Sequence, residues 1–227
     1  MLYSEDRKFV FVAVPKTGTT AIQKRLCAVD PKIHRNHVHD ERGSLVKVPT
    51  HATAREVREI MGARAEGVTF IAFMRDPRDV LVSKYHFYRC GRAAYSQGLT
   101  KGSFDGVPQR LHFGTMLRVL FAKALPLSVW ARLYPYKPSS VFITDRNGDL
   151  IVDRIGMMET LQADVERIFS EFGYTSEQLA LSMVNRTDYD RSTPRDPALE
   201  ALVARRLPED CALFDRLRAG EPLRGPS

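Results

Sequence analysis

The chain has 227 residues, enough for one α/β core and too few for two comfortable ones. Its formal net charge of +7 favours an anionic ligand, but Lys and Arg are scattered among acidic residues without a dense tract, so a nucleic-acid partner is not expected. Cys27, Cys90 and Cys211 are odd in number, far apart and without metal-type spacing, which speaks against a disulfide framework and for the cytoplasm, and no apolar run reaches membrane-spanning length, so no membrane partner is expected either.

The first element is the run Phe9-Val10-Phe11-Val12-Ala13-Val14. Aromatic and β-branched residues without alternation read as a strand buried on both faces. It stops at Pro15-Lys16-Thr17-Gly18-Thr19-Thr20, and Ala21, Ile22 and Leu26 then follow helical spacing. Strand, turn and helix in that order make an anion site. The first amides of the helix, the hydroxyls of Thr17, Thr19 and Thr20 and the Lys16 ammonium would converge on a phosphate-like group.

Residues 31–49 are polar and hold His34, His37 and His39 beside Asp40. Their spacing is weak evidence for a metal, and a solvated loop or edge strand is the expectation. Thr53 and Glu56 then have capping-box spacing, with Val57, Ile60 and Met61 as the inner stripe of a helix ending at Gly62. His51 stands just outside that helix.

A second buried strand is expected from Val68 to Met74, terminated by Arg75-Asp76-Pro77-Arg78-Asp79. Asp76 suits an N-cap and Pro77 the first helical position. Val80, Leu81, Tyr85 and Tyr88 mark the inner face of the helix, and Ser83 falls near enough to the strand end to share a phosphate with Arg75. From Cys90 to Gly114 periodicity is absent, as in a lid or substrate loop. Leu117, Leu120, Phe121 and Leu125 predict a helix stopped by Pro126, and a short helix is expected from Val129 to Tyr134.

Ser139 to Thr144 and Leu150 to Met157, joined at Asn147-Gly148, read as a hairpin. Leu161, Val165, Ile168, Phe169 and Phe172 before Gly173 predict an amphipathic core helix. Two charged helices, about 198–206 and 209–217, are expected on the outside. Residues 1–218 are read as one domain and 219–227 as a frayed tail.

The first turn lacks the early glycine and the Gly-Lys-Ser/Thr order of the nucleoside-triphosphatase loop, which disfavours magnesium-dependent ATP or GTP hydrolysis. Pro15-Lys16-Thr17-Gly18-Thr19-Thr20 after a strand, with Arg75-Asp76-Pro77 and Ser83-Lys84-Tyr85 later, resembles instead the paired motifs of sulfotransferases that use 3′-phosphoadenosine 5′-phosphosulfate. Residues 152–161, Asn185-Arg186-Thr187 and 209–214 resemble C-terminal landmarks of the carbohydrate-type branch, which has bacterial members. The resemblance implies a single-domain, P-loop-like three-layer α/β fold with a central, mainly parallel sheet flanked by helices.

It also implies roles. Lys16, Thr17, Gly18, Thr19 and Thr20 would hold the 5′-phosphosulfate, and Arg75 with Ser83 the 3′-phosphate of this co-substrate. Lys16 would stabilise the leaving oxygen. The acceptor would be a hydroxyl of a carbohydrate or small molecule, and related enzymes place a histidine base where His51 stands, with His112 and His86 as rivals and Glu56 as an alternative base or orienting partner. Nothing in the sequence calls for a metal. Two other readings stay open: a nucleotide-dependent kinase or phosphotransferase using the same loop, and a non-catalytic nucleotide- or polyanion-binding protein. Oligomeric state and acceptor identity are not legible.

Overall fold

In chain order the elements are strands β1 (Leu2–Ser4) and β2 (Phe9–Val12), helix α1 (Thr19–Val29), strands β3 (His34–Arg35), β4 (His37–His39) and β5 (Leu45–Lys47), helix α2 (Ala54–Met61) and strand β6 (Thr69–Met74). Helices α3 (Pro77–Arg89), α4 (Phe113–Ala124) and α5 (Leu127–Leu133) follow, then strand β7 (Arg154–Met157) and helices α6 (Leu161–Ser170), α7 (Ser176–Leu179), α8 (Pro197–Arg206) and α9 (Pro208–Arg218). The computed structural model describes residues 1–90, 113–182 and 196–220.

Contacts divide the chain into two compact units. The first comprises Met1–Asp76, Lys137–Asn185 and Glu209–Ser227, the second Pro77–Tyr136 and Arg186–Pro208.

The first unit is built on a five-stranded sheet of order β3-β1-β2-β6-β7. β2, β6 and β7 run parallel, with Val12 opposite Ala72 and Met74 opposite Met157. β1 is antiparallel to β2 and to β3 at the edge. Alternation along the strands sorts side chains onto two faces. Val10, Val12, Phe70, Ala72 and Met74 pack with Val57 and Met61 of α2 and with Leu213 of α9. Phe9, Phe11, Ile71 and Phe73 pack with Ile22 and Leu26 of α1 and with Val165, Ile168 and Phe169 of α6. Helices therefore cover both faces of a mainly parallel central sheet, which is why β2 and β6 are apolar almost throughout.

Residues 31–49 supply the expected edge strand as β3, and β4 pairs with β5 in a small separate hairpin. His34 and His39 meet edge to face at 5.9 Å between ring centroids, His34 stacks on Tyr3, and His39 Nδ1 lies 3.3 Å from Glu5. Among the described residues no group of three or more His, Cys, Asp or Glu side chains is arranged to hold a metal ion.

The hairpin expected over 139–157 is cut down to its tip, where Asp145 N donates to Asp149 O and Ile151 N to Ile143 O. Its two arms share a single bridge, Thr144 to Leu150, across the turn at Gly148. Ser140–Phe142 is a short 3₁₀ helix, and Arg154–Met157 leaves to become the third parallel strand. The cause is remote in sequence. Asp210, fully buried in α9, accepts the backbone amides of Ser139 at 2.7 Å and Ser140 at 2.9 Å, taking the donors a strand ladder would need. α9 is thus no outer decoration, since Leu213 and Phe214 are buried with Asp210.

In the second unit α3 packs against α4, α5 and α8. Tyr85 donates to the Leu125 carbonyl at 2.9 Å and meets Trp130 edge to face, and Trp130 stacks on Tyr134 at 4.4 Å. Leu120 and Phe121, whose spacing predicted α4, are each 53% exposed, and Ala122 is the buried residue beside them.

Candidate functional site

The turn after β2 has two left-handed residues. Gly18 (φ 78°) precedes α1, and Lys16 (φ 71°) adopts a conformation uncommon for a residue with a Cβ. A Cβ at Gly18 would meet Met158 Sδ at 2.8 Å and Leu161 Cδ2 at 3.0 Å, so the turn sits tightly against the connection from β7 to α6. Thr17 is buried and its hydroxyl donates to Val14 O at 3.0 Å. That proton is committed to the turn, leaving the Thr17 backbone amide as the donor this residue can offer a ligand. Thr19 is buried and Thr20 exposed. The amides of Gly18, Thr19 and Thr20 precede the first bond of the helix, from Ala21 N to Gly18 O at 3.0 Å. With no acidic residue in its first turn, α1 directs an uncancelled positive dipole end at this point.

The neighbouring strand delivers the second cation. Arg75 and Asp76, directly beyond β6, are each 5% exposed. Arg75 Nη1 donates to Lys16 O across 3.4 Å, joining the two motifs that lie 59 residues apart. Asp76 N donates to Glu159 Oε1 at 3.2 Å, and Met158 N to Met74 O at 2.8 Å. The C-terminal ends of three adjacent parallel strands are thereby tied together, the location where α/β sheets bind ligands. Glu159 was not singled out from the sequence as a site residue. Its signal was its place immediately beyond an apolar run, visible once that run is known to be a parallel strand.

His51 reaches the same edge. Its Nδ1 lies 2.6 Å from Ala13 O, just upstream of the Lys16 turn. A carbonyl only accepts, so Nδ1 carries the proton, and in the neutral ring Nε2 keeps its lone pair. Glu56 is occupied elsewhere. It accepts Thr53 N at 2.7 Å and the Thr53 hydroxyl at 3.0 Å in a complete capping box, and these bonds, the Thr53 amide foremost, hold its carboxyl below the usual range.

Ser83 lies in the second unit, buried almost two turns into α3. On the same helix His86 packs edge-on against Tyr85, with its basicity lowered by burial and then by Arg89. His112, Asn185, Arg186 and Thr187 lie outside the described residues, as does most of the expected loop from 90 to 114.

A family model described as "Sulfotransferase family" matches residues 1–206. The chain belongs to the sulfotransferase family. The match takes in the Lys16 turn, His51, Arg75 and Ser83, so every residue proposed from the sequence for this sulfotransferase's site lies within it. No curated protein and no solved structure matches the chain.

Proposed function

We propose that this sulfotransferase moves a sulfuryl group from 3′-phosphoadenosine 5′-phosphosulfate to a hydroxyl of a carbohydrate or small-molecule acceptor, on a single P-loop-like domain. The observation that carries the reading is the meeting of two cationic turns at adjacent strand ends, with the Arg75 guanidinium 3.4 Å from the Lys16 carbonyl. One turn suits the 5′-phosphosulfate. The other, with the Arg75 guanidinium, suits the 3′-phosphate.

In the reaction the acceptor oxygen attacks sulfur in line while the bond from sulfur to the bridging phosphate oxygen breaks. The acceptor proton passes to Nε2 of His51 and then to solvent. Negative charge grows on the bridging oxygen, where the Lys16 ammonium and the α1 amides stabilise it. The products are the sulfated acceptor and 3′-phosphoadenosine 5′-phosphate. With Nδ1 bound to Ala13 O, the imidazole can act only through its other nitrogen, so the ring is oriented before an acceptor arrives.

Calorimetric titration with 3′-phosphoadenosine 5′-phosphate and with ADP, followed by sulfate transfer from labelled donor to a panel of sugars and small alcohols, tests the reading. Selective binding of the 3′-phosphorylated nucleotide and labelled product are expected. Equal affinity for ADP, or magnesium-dependent ATP turnover, would replace it with the phosphotransferase reading.

A further inference from the structure

Helices α4 and α5 turn apolar side chains outward. Met116 is 40% exposed, Leu120 and Phe121 53%, Val129 38% and Leu133 67%; five of the seven large exposed hydrophobic residues among those described lie on these two helices. Their order is regular. At 100° per residue, Met116, Leu120, Ala124 and Phe121 share one arc of α4, with exposed Lys123 at one margin and exposed Arg118 beyond the other. On α5, Val129 and Leu133 are one turn apart with exposed Arg132 beside them, while Trp130 and Ala131 face inward.

Charge along this stretch has one sign. From Gly106 to Thr144 there is no Asp or Glu, against Arg110, Arg118, Lys123, Arg132 and Lys137. Solvated helices ordinarily mix both signs and hide their large apolar residues. Here Arg118, Lys123 and Arg132 border the apolar stripes rather than interrupt them. That arrangement lets Leu and Phe enter the acyl boundary while Lys and Arg extend to the headgroups. A helix running from Phe113 to Ala124 is too short to cross a bilayer, which needs about 20 residues, so its place is on the surface.

We propose that the outward face of α4 and α5 docks on an anionic lipid surface. Lipid is favoured over an acidic protein because the patch is formed by two convex helix faces whose charged groups lie at the edge. The interaction holds the enzyme at the surface; it does not depend on which acceptor or donor the strand-end site takes.

Co-sedimentation of the full chain with vesicles of phosphatidylcholine alone, and of phosphatidylcholine with phosphatidylserine, tests it. Binding to the anionic vesicles that weakens with added salt is expected. The double substitution Leu120→Asp with Leu133→Asp should weaken it by about tenfold or more, with the circular dichroism and melting temperature of the parent, because both positions are more than half exposed. The proposal is overturned if the parent stays in the supernatant, or if the double variant binds anionic vesicles as the parent does. It is equally overturned if, without lipid, the parent self-associates in sedimentation velocity and the double variant is monomeric, which would give the face to a second copy. Capture by a soluble acidic polypeptide that is as tight as by vesicles and indifferent to the Leu substitutions would give it to an acidic partner.

Discussion

His51 and Ala13 are 38 residues apart, and the ring nitrogen Nδ1 of one stands 2.6 Å from the carbonyl oxygen of the other. The bond does two things. It puts the proton on Nδ1, and it fastens the segment before α2 to the residues that lead into the Lys16 turn.

His51→Ala is therefore expected to lower kcat by about 10²–10⁴-fold. Affinity for 3′-phosphoadenosine 5′-phosphate should stay close to that of the parent. Steady-state kinetics beside nucleotide titration separate the two, and a variant as fast as the parent would move the base elsewhere, to His86 or His112.

Lys16→Ala and Arg75→Ala should fail in different ways. Loss of the Lys16 ammonium should depress kcat by about 10²–10³-fold, since in the proposed reaction its charge stabilises the departing bridging oxygen. Loss of Arg75 should weaken 3′-phosphoadenosine 5′-phosphate by about 10- to 100-fold, the value of a charge-assisted hydrogen bond, with little change for ADP. Titrating both nucleotides against both variants reads this, and equal weakening of the two nucleotides by Arg75→Ala would remove its assignment to the 3′-phosphate.

Gly18→Ala should destabilise the fold by about 1–3 kcal/mol, because φ 78° is unfavourable for a residue with a Cβ. The added methyl must also displace Met158 Sδ, 2.8 Å away, and Leu161. The Met158 end can swing aside, whereas the backbone strain stays. Urea unfolding measures the loss, and nucleotide affinity should fall with it as the turn is distorted.

Asp210→Ala should cost about 2–4 kcal/mol, since it strands two buried amides, those of Ser139 and Ser140, at once. Asp210→Asn should be milder because one carbonyl oxygen remains to accept. Denaturant midpoints of the three proteins give the order, and activity per folded molecule should be nearly unchanged.

Acid should weaken the fold through Asp30 and Asp164. Burial pushes both carboxyls up, but it is outweighed. Asp30 accepts from the Tyr174 hydroxyl, the Lys32 amide and Arg7, and Asp164 from the Thr160 hydroxyl, the Met157 amide and Arg167, so both end below the ordinary carboxylate range. A carboxyl depressed on folding binds more protons when unfolded, so its stabilisation is complete above its unfolded value and is lost as pH falls through the folded one. Melting temperatures should therefore decline in the acid range, and Asp30→Asn or Asp164→Asn should flatten that decline; an unchanged acid limb in both would show that other carboxylates govern it.

Local pieces of this protein can be read from neighbouring residues alone. The apolar run from Phe9 and the Gly18 turn specify a buried strand feeding α1, Thr53 and Glu56 specify the start of α2 through their capping box, Pro77 marks the first residue of α3, and Leu161 to Phe169 specify the inner face of α6. Each is written in neighbours within a turn or two, where propensity, capping and periodicity act. The rest follows from long-range contacts: Arg75 meets the Lys16 turn, His51 hangs from Ala13, Glu159 takes the Asp76 amide, and Asp210 holds Ser139 and Ser140 in a 3₁₀ turn where a strand was expected. Those bonds join residues tens of positions apart. Sheet order brings them together, and no local pattern records which distant acceptor a backbone amide will find.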